Sequence, residues 1–139
     1  MIPAISPTAI PILLVVAGGT HFAQIGAMHW YAYEWARRNP LPEGPGVLFR
    51  ALRSGLIFMV VGTGLLVIFN AGRIAAGGGL AVSLCALLSL FAGYRLGLQW
   101  FGMGKEMDHA GNRGARAVLY ATLVLQFLIY AGVFLALVR

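Results

Sequence analysis

Ala117-Val118-Leu119-Tyr120-Ala121-Thr122-Leu123-Val124-Leu125-Gln126-Phe127-Leu128-Ile129-Tyr130-Ala131-Gly132-Val133-Phe134-Leu135-Ala136-Leu137-Val138 lies between Arg116 and Arg139 and carries no charge. About 20 apolar residues in a helix cross a hydrocarbon core of ~30 Å, so this run is long enough to span a bilayer. Three further runs precede it. The first extends from about Thr8 to Tyr33, the second from about Ala51 to Gly72 and the third from about Gly79 to Met103; the fourth opens near Ala115. Four isolated apolar strands cannot close a barrel, and lipid offers no partner to unpaired peptide groups, so each run reads as a helix. The expected fold is all-α, a bundle of four transmembrane helices in one domain, 1–139.

Composition leads the same way. Hydrophobic residues make up 60% of the chain and charged residues only 10%, against about 25% charge in a soluble domain; a hydrocarbon solvent accounts for the difference. The formal net charge is +6, but the basic residues stand at the ends of the runs and form no patch, which argues against nucleic acid and for topology markers facing lipid headgroups. Met1 to Pro11 has no positive leader segment, so the first run reads as a retained helix. The single cysteine, Cys85, excludes an internal disulfide and reads as a small core residue.

Charge also orients the bundle. Arg37, Arg38, Arg50 and Arg53 flank the first connection, and Lys105, Arg113 and Arg116 flank the third, whereas Arg73 and Arg139 fall on the opposite side. The positive-inside rule places the first group in the cytoplasm and both termini outside, with a bacterial inner membrane as the expected location. The four acids, Glu34, Glu43, Glu106 and Asp108, lie on that same inner side. Trp30, Tyr31, Tyr33, Trp35, Trp100 and Phe101 mark its interfacial belt. The first connection, Arg37 to Gly46, holds three prolines and two glycines and is expected to break helix.

His29-Trp30-Tyr31 and Gln99-Trp100-Phe101 end the two inward-running helices, and Arg50-Ala51-Leu52-Arg53 and Arg113-Gly114-Ala115-Arg116 open the two outward-running ones. This reads as a possible duplicated helix hairpin, although interface punctuation alone produces similar marks. Small residues at a spacing of four let backbones approach in lipid. Gly19, Ala23 and Ala27 form such a stripe on the first span, Cys85, Ser89, Gly93 and Gly97 on the third, and Gly55, Gly62 and Gly64 lie on the second. These stripes are expected to face protein.

Polar groups at membrane depth are costly and mark structure or function. His21 and Gln24 on the first span, Thr63 on the second, Ser89 on the third and Gln126 on the fourth lie at about one depth. They read as interhelical glue or as a small polar pocket or proton path. Arg95 lies about one and a half turns inside Trp100. It either snorkels to the headgroups or turns inward to bind an anion, with Arg50, Arg53, Arg113 or Arg116 as candidate companions. Haem finds little support. His21 and His29 share one helix, His109 stands in a connection beside Asp108 and Glu106, and no other span offers a histidine. No cofactor is expected, and no metal site with three ligands is apparent.

Glu43-Gly44-Pro45-Gly46-Val47-Leu48-Phe49-Arg50-Ala51-Leu52-Arg53, together with Tyr94-Arg95 and Gln99-Trp100-Phe101-Gly102, resembles the MAPEG family, the membrane-associated proteins of eicosanoid and glutathione metabolism. The first segment is similar to that family's Gly-containing loop and arginine-rich second helix, and the second to its third helix. The resemblance covers roughly residues 34–127. It implies a homotrimer with an anion or lipophilic-ligand site at the subunit boundary. The family's glutathione-binding members carry Asn and Glu four and seven positions after the second-helix arginine. Those positions are Ile57 and Val60 counted from Arg53, or Ser54 and Ile57 counted from Arg50. The resemblance therefore implies a chain without the thiol-activating site.

Three functional readings follow. The first is an accessory or interaction subunit whose partners are the bilayer and other membrane subunits or a second copy. The second is a MAPEG-like homotrimeric enzyme or ligand binder. The third is a small transporter or a single-His haem protein.

Overall fold

The computed structural model describes residues 5–103 and 113–139, without the side chains of Tyr31 and Met103. Lys105, Glu106, Asp108 and His109 lie outside the described residues. Four helices carry the fold: α1 (Ile10–Arg38), α2 (Glu43–Ala75), α3 (Gly79–Leu98) and α4 (Arg113–Val138), with a π-helical turn, Gln99–Met103, continuing α3. All four are long and apolar enough to cross a membrane. Among the described residues there is no strand.

The helices outrun the apolar segments that announce them. α1 continues to Arg38, beyond Tyr33, and α2 begins at Glu43 rather than near Ala51. The break expected over Arg37–Gly46 shrinks to Asn39–Pro42. Pro45 explains the difference, because a proline in the first turn of a helix sacrifices only an N–H that would have no intrahelical partner. Glu43 in that turn also complements the helix dipole. Asn39 closes α1 by donating its backbone N–H (2.9 Å) and its side-chain Nδ2 (3.0 Å) to the Trp35 carbonyl, and Pro40 discourages continuation. The turn between α2 and α3 uses Gly77 and Gly78 at φ +84° and +101°, a backbone region that side chains with a Cβ rarely occupy.

The helices run antiparallel as two hairpins. α1 lies against α2 on one side and α4 on the other, α3 packs on α4, and α2 and α3 touch only lightly. A two-fold exchange of the hairpins would map the α1–α4 contact onto an α3–α2 contact. The first is extensive and the second slight, so the single chain is asymmetric whatever its sequence history. One end of the bundle gathers the helix ends bearing Arg53 and Arg116: His29 meets Arg53, and Tyr120 meets the Gln99 carbonyl. At the other end Ile5 lies by Gly132, and Leu137 by Gly77.

α1 and α2 approach closely at Gly18 and Gly64. A Cβ on either would lie 2.9 Å from the other's carbonyl oxygen. Of the stripe at Gly19, Ala23 and Ala27, only Ala27 is covered by this chain itself. Ala27 is buried, but Gly19 and Ala23 are exposed, and a Cβ on Gly19 would meet nothing within 4 Å. Gly18 and Ala17 supply the buried small residues there instead. On α2 the same division separates Gly64 from Gly55 and Gly62, which face open space. On α3, Cys85 and Ser89 are buried and Gly93 lies against the Phe127 ring, where an added Cβ would stand 3.3 Å away. Gly97, the last of that stripe, has nothing within 4 Å.

Two apolar clusters fill the bundle. The larger, at the terminal end, includes Leu14, Ala17, Val67, Ala71, Cys85, Tyr130 and Val133. The smaller, toward the basic end, joins Ala27, Leu119 and Leu123, with Met28 and Leu96 against it. Buried polar residues lie between them, and these form the candidate site.

Candidate polar site at the centre of the bundle

Spacing on α1 sets the site. Ala17, His21 and Gln24 follow one another at intervals of four and three, so they share one face, and all three are buried. The face is turned toward α4 and α3. Gln126, buried on α4, places its Nε2 2.9 Å from Thr20 Oγ1 and 3.0 Å from His21 Nδ1. Thr20 in turn donates its hydroxyl to the Ala17 carbonyl at 2.6 Å. His21 Nδ1 also lies 3.0 Å from that carbonyl. One nitrogen cannot serve both neighbours in a single tautomer. It either accepts from the Gln126 amide or donates to Ala17 O, so the position of the imidazole proton decides whether His21 is tied to α4 or to its own helix.

One turn further along, Arg95 has turned inward. Its Nη1 donates to Gln24 Oε1 at 2.8 Å, its Nη2 lies 3.4 Å from Met28 Sδ, and its guanidinium carbon sits 5.7 Å from the centre of the Phe91 ring. No carboxylate contacts it among the described residues. A neutral amide, a thioether and an aromatic ring thus hold a cation that links α3 to α1.

The grouping of Arg95 with Arg50, Arg53, Arg113 and Arg116 is not assembled. Arg53 donates to His29 Nδ1 at 2.7 Å, tying α2 to α1. Arg116 stacks 5.3 Å over the Tyr120 ring on its own helix. Arg50 and Arg113 are exposed. Arg95, Arg53 and Arg116 therefore sit in separate local environments. Thr63 and Ser89 do not join the polar band either. Each donates to a carbonyl one turn back on its own helix, Met59 O at 2.8 Å and Cys85 O at 2.7 Å. This back-bonding satisfies a hydroxyl in lipid without any partner helix. Among the described residues no three His, Cys, Asp or Glu side chains converge to hold a metal.

Thr20, Met28 and Tyr130 were missed by the sequence reading. Tyr130 is 1% exposed with its ring centroid 6.4 Å from that of His21, and its hydroxyl has no partner among the described residues. Gln24 Nε2 is likewise buried and unpaired. A tyrosine within an apolar run carries no sign of whether its hydroxyl reaches solvent. His21 and Tyr130 come together only because α1 and α4 pack antiparallel. Two unpaired donors beside a histidine of open tautomer are the chemically unfinished part of this interior.

Gln126→Leu removes the only polar tie from α4 to Thr20 and His21 that is seen among the described residues. The expected loss is about 0.6–1.7 kcal/mol, the range of interhelical hydrogen bonds in lipid. Unfolding by SDS titration of the reconstituted chain measures it; stability equal to wild type would mean that this tie contributes nothing.

The fold and this interior define an all-helical polytopic membrane protein with a buried polar band. No family model, curated protein or solved structure matches the chain.

Proposed function

We propose that this chain is an interaction subunit of a membrane assembly, joined through the outward faces of α2 and α1. One observation carries the reading. Gly55 and Gly62 on α2, and Gly19 and Gly26 on α1, have nothing within 4 Å of the place a Cβ would occupy. Glycine weakens a helix by about 1 kcal/mol relative to alanine, and in lipid that cost is offset where another helix approaches closely. These four positions have no such neighbour inside the chain. α2 agrees, since only 17% of its most apolar stretch is buried within the chain and Phe58, Met59 and Phe69 are exposed. Asn70, on the same helix, commits one amide hydrogen to its own Leu66 carbonyl and keeps the rest of its bonding capacity. The arginine-rich end faces the cytoplasm by the positive-inside rule, with both termini outside, in a bacterial inner membrane.

The test is native mass spectrometry of the chain extracted in mild detergent, alone and with Gly55→Leu plus Gly62→Leu. The reading expects a stoichiometric complex, with a larger subunit or with further copies, that the double variant loses while keeping its helical circular dichroism. A wild-type monomer in both detergent and nanodiscs overturns it.

A second reading is a MAPEG-like homotrimer that binds an amphiphilic ligand. Arg95 supports it, as a cation turned into the bundle against Gln24 with no acid beside it among the described residues. A colourless trimer whose ligand binding disappears in Arg95→Ala would favour this reading, and binding that survives the substitution would reject it.

A further inference from the structure

The contact of α1 with α2 at Gly18 and Gly64 fixes which other residues of the pair face each other. His29 stands eleven positions after Gly18, and Arg53 eleven positions before Gly64. Eleven residues make about three turns, or ~16 Å along the axis, so both positions return to the face of the contact. On antiparallel helices the two therefore come to one level toward the basic end. The structure places Arg53 Nη2 2.7 Å from His29 Nδ1 and 3.4 Å from His29 Nε2. Further along the same pair, the Trp35 ring of α1 lies against the Phe49 ring of α2, with centroids 5.3 Å apart.

We propose that His29 and Arg53 form an acid-released clasp, whose opening lets α1 and α2 part at the basic end about the Gly18–Gly64 contact. A guanidinium only donates, so the imidazole must accept. Either neutral tautomer offers one bare nitrogen within reach of Arg53. The imidazolium offers none, and it sets a second positive charge against the first. The clasp is therefore closed with a neutral imidazole and open with a charged one, so it is released on the acid side. His29 is exposed, and a proton reaches it without crossing the bundle.

Of the other titratable groups toward this end, Tyr31, Tyr33, Glu34, Arg37 and Arg38 belong to α1, and Glu43 and Arg50 to α2. Glu34 accepts from Arg37 at 2.8 Å and lies 3.8 Å from Arg38. The Arg50 guanidinium turns back toward Gly46, where its Nη1 stands 3.7 Å from the place of a Cβ. Glu43 opens α2, ten positions before Arg53. α4 and α3 meet a different face of α1, the one bearing His21 and Gln24, and Arg95 of α3 is bonded there. Arg53 is thus the group that meets His29 across the pair. The clasp lies within one chain and does not rest on assembly through α2 or α1.

The experiment uses the full chain in neutral detergent with Trp30→Phe and Trp100→Phe, so that Trp35 is its sole tryptophan, and with His109→Gln to remove the histidine of the α3–α4 connection. Acrylamide quenching of Trp35 and SDS unfolding are measured at about pH 7.5 and about pH 5.5, which bracket ordinary imidazole titration and stay above that of carboxylates. Trp35 is expected to become more accessible in acid, and the unfolding constant to rise about two- to fivefold, the range for an exposed polar pair. His29→Gln should abolish both changes and keep Trp35 shielded, because an amide oxygen accepts from Arg53 without titrating. Arg53→Leu should leave Trp35 accessible at either pH. Helical circular dichroism shows that each variant folds, and either variant alone decides the matter. Equal quenching of the parent protein at the two pH values, or an acid response that persists in His29→Gln or in Arg53→Leu, would overturn the proposal.

Discussion

Gly64→Ala is expected to destabilise the bundle by about 1–3 kcal/mol, the usual cost of overpacking a close contact, although alanine is the better helix former. The added methyl would stand 2.9 Å from Gly18 O and 3.1 Å from His21 Cβ. Neither is the free end of a flexible side chain, so α1 and α2 must separate. Separation would also move His21, whose imidazole is held between Ala17 and Gln126, so the damage reaches the polar band. Gly62→Ala is the control, because nothing lies near its added methyl within the chain. In monomeric detergent-solubilised protein it should be neutral or slightly stabilising. SDS unfolding of both variants decides the matter, and equal stabilities would mean that α1 and α2 do not approach closely at Gly64.

The second large effect falls on Gln24. Replacing it with leucine removes the Oε1 that accepts the 2.8 Å bond from Arg95 and leaves a guanidinium part-buried between helices. A hydrogen bond to a charged group contributes about 1.5–3 kcal/mol, while polar pairs in lipid reach about 1.7 at most. A loss near 1.5–2 kcal/mol is the expected outcome. Arg95→Leu should cost less, since it removes the cation together with the need to solvate it. The double variant should recover part of the Gln24→Leu loss. That sign of coupling identifies a bond between the two residues; strictly additive losses would show that Arg95 is solvated elsewhere, as a residue reaching for the headgroups would be.

Much of the central site was legible in the chain, but not its connections. His21, Gln24 and Gln126 stand out because polar groups in apolar runs are rare, and all three are buried together. Thr63 and Ser89 stand out for the same reason, yet each satisfies itself on its own helix, which hydroxyl residues do and longer amides do not. Arg95 is conspicuous in the sequence. Its inward turn depends on Gln24 and Met28 being across from it, a fact of helix pairing.

The sequence by itself determined that there are four membrane-length helices and that their basic ends belong together, because hydropathy and charge are local properties that a bilayer reads segment by segment. Which faces meet was decided only by the tertiary structure. In lipid the outside of a helix is as apolar as its inside, so apolar periodicity does not point inward as it does in water. Gly18 and Gly19 differ by one position and about 100° around α1. One lies against the backbone of α2 and the other faces away from the chain, and only the packing of the second helix distinguishes them.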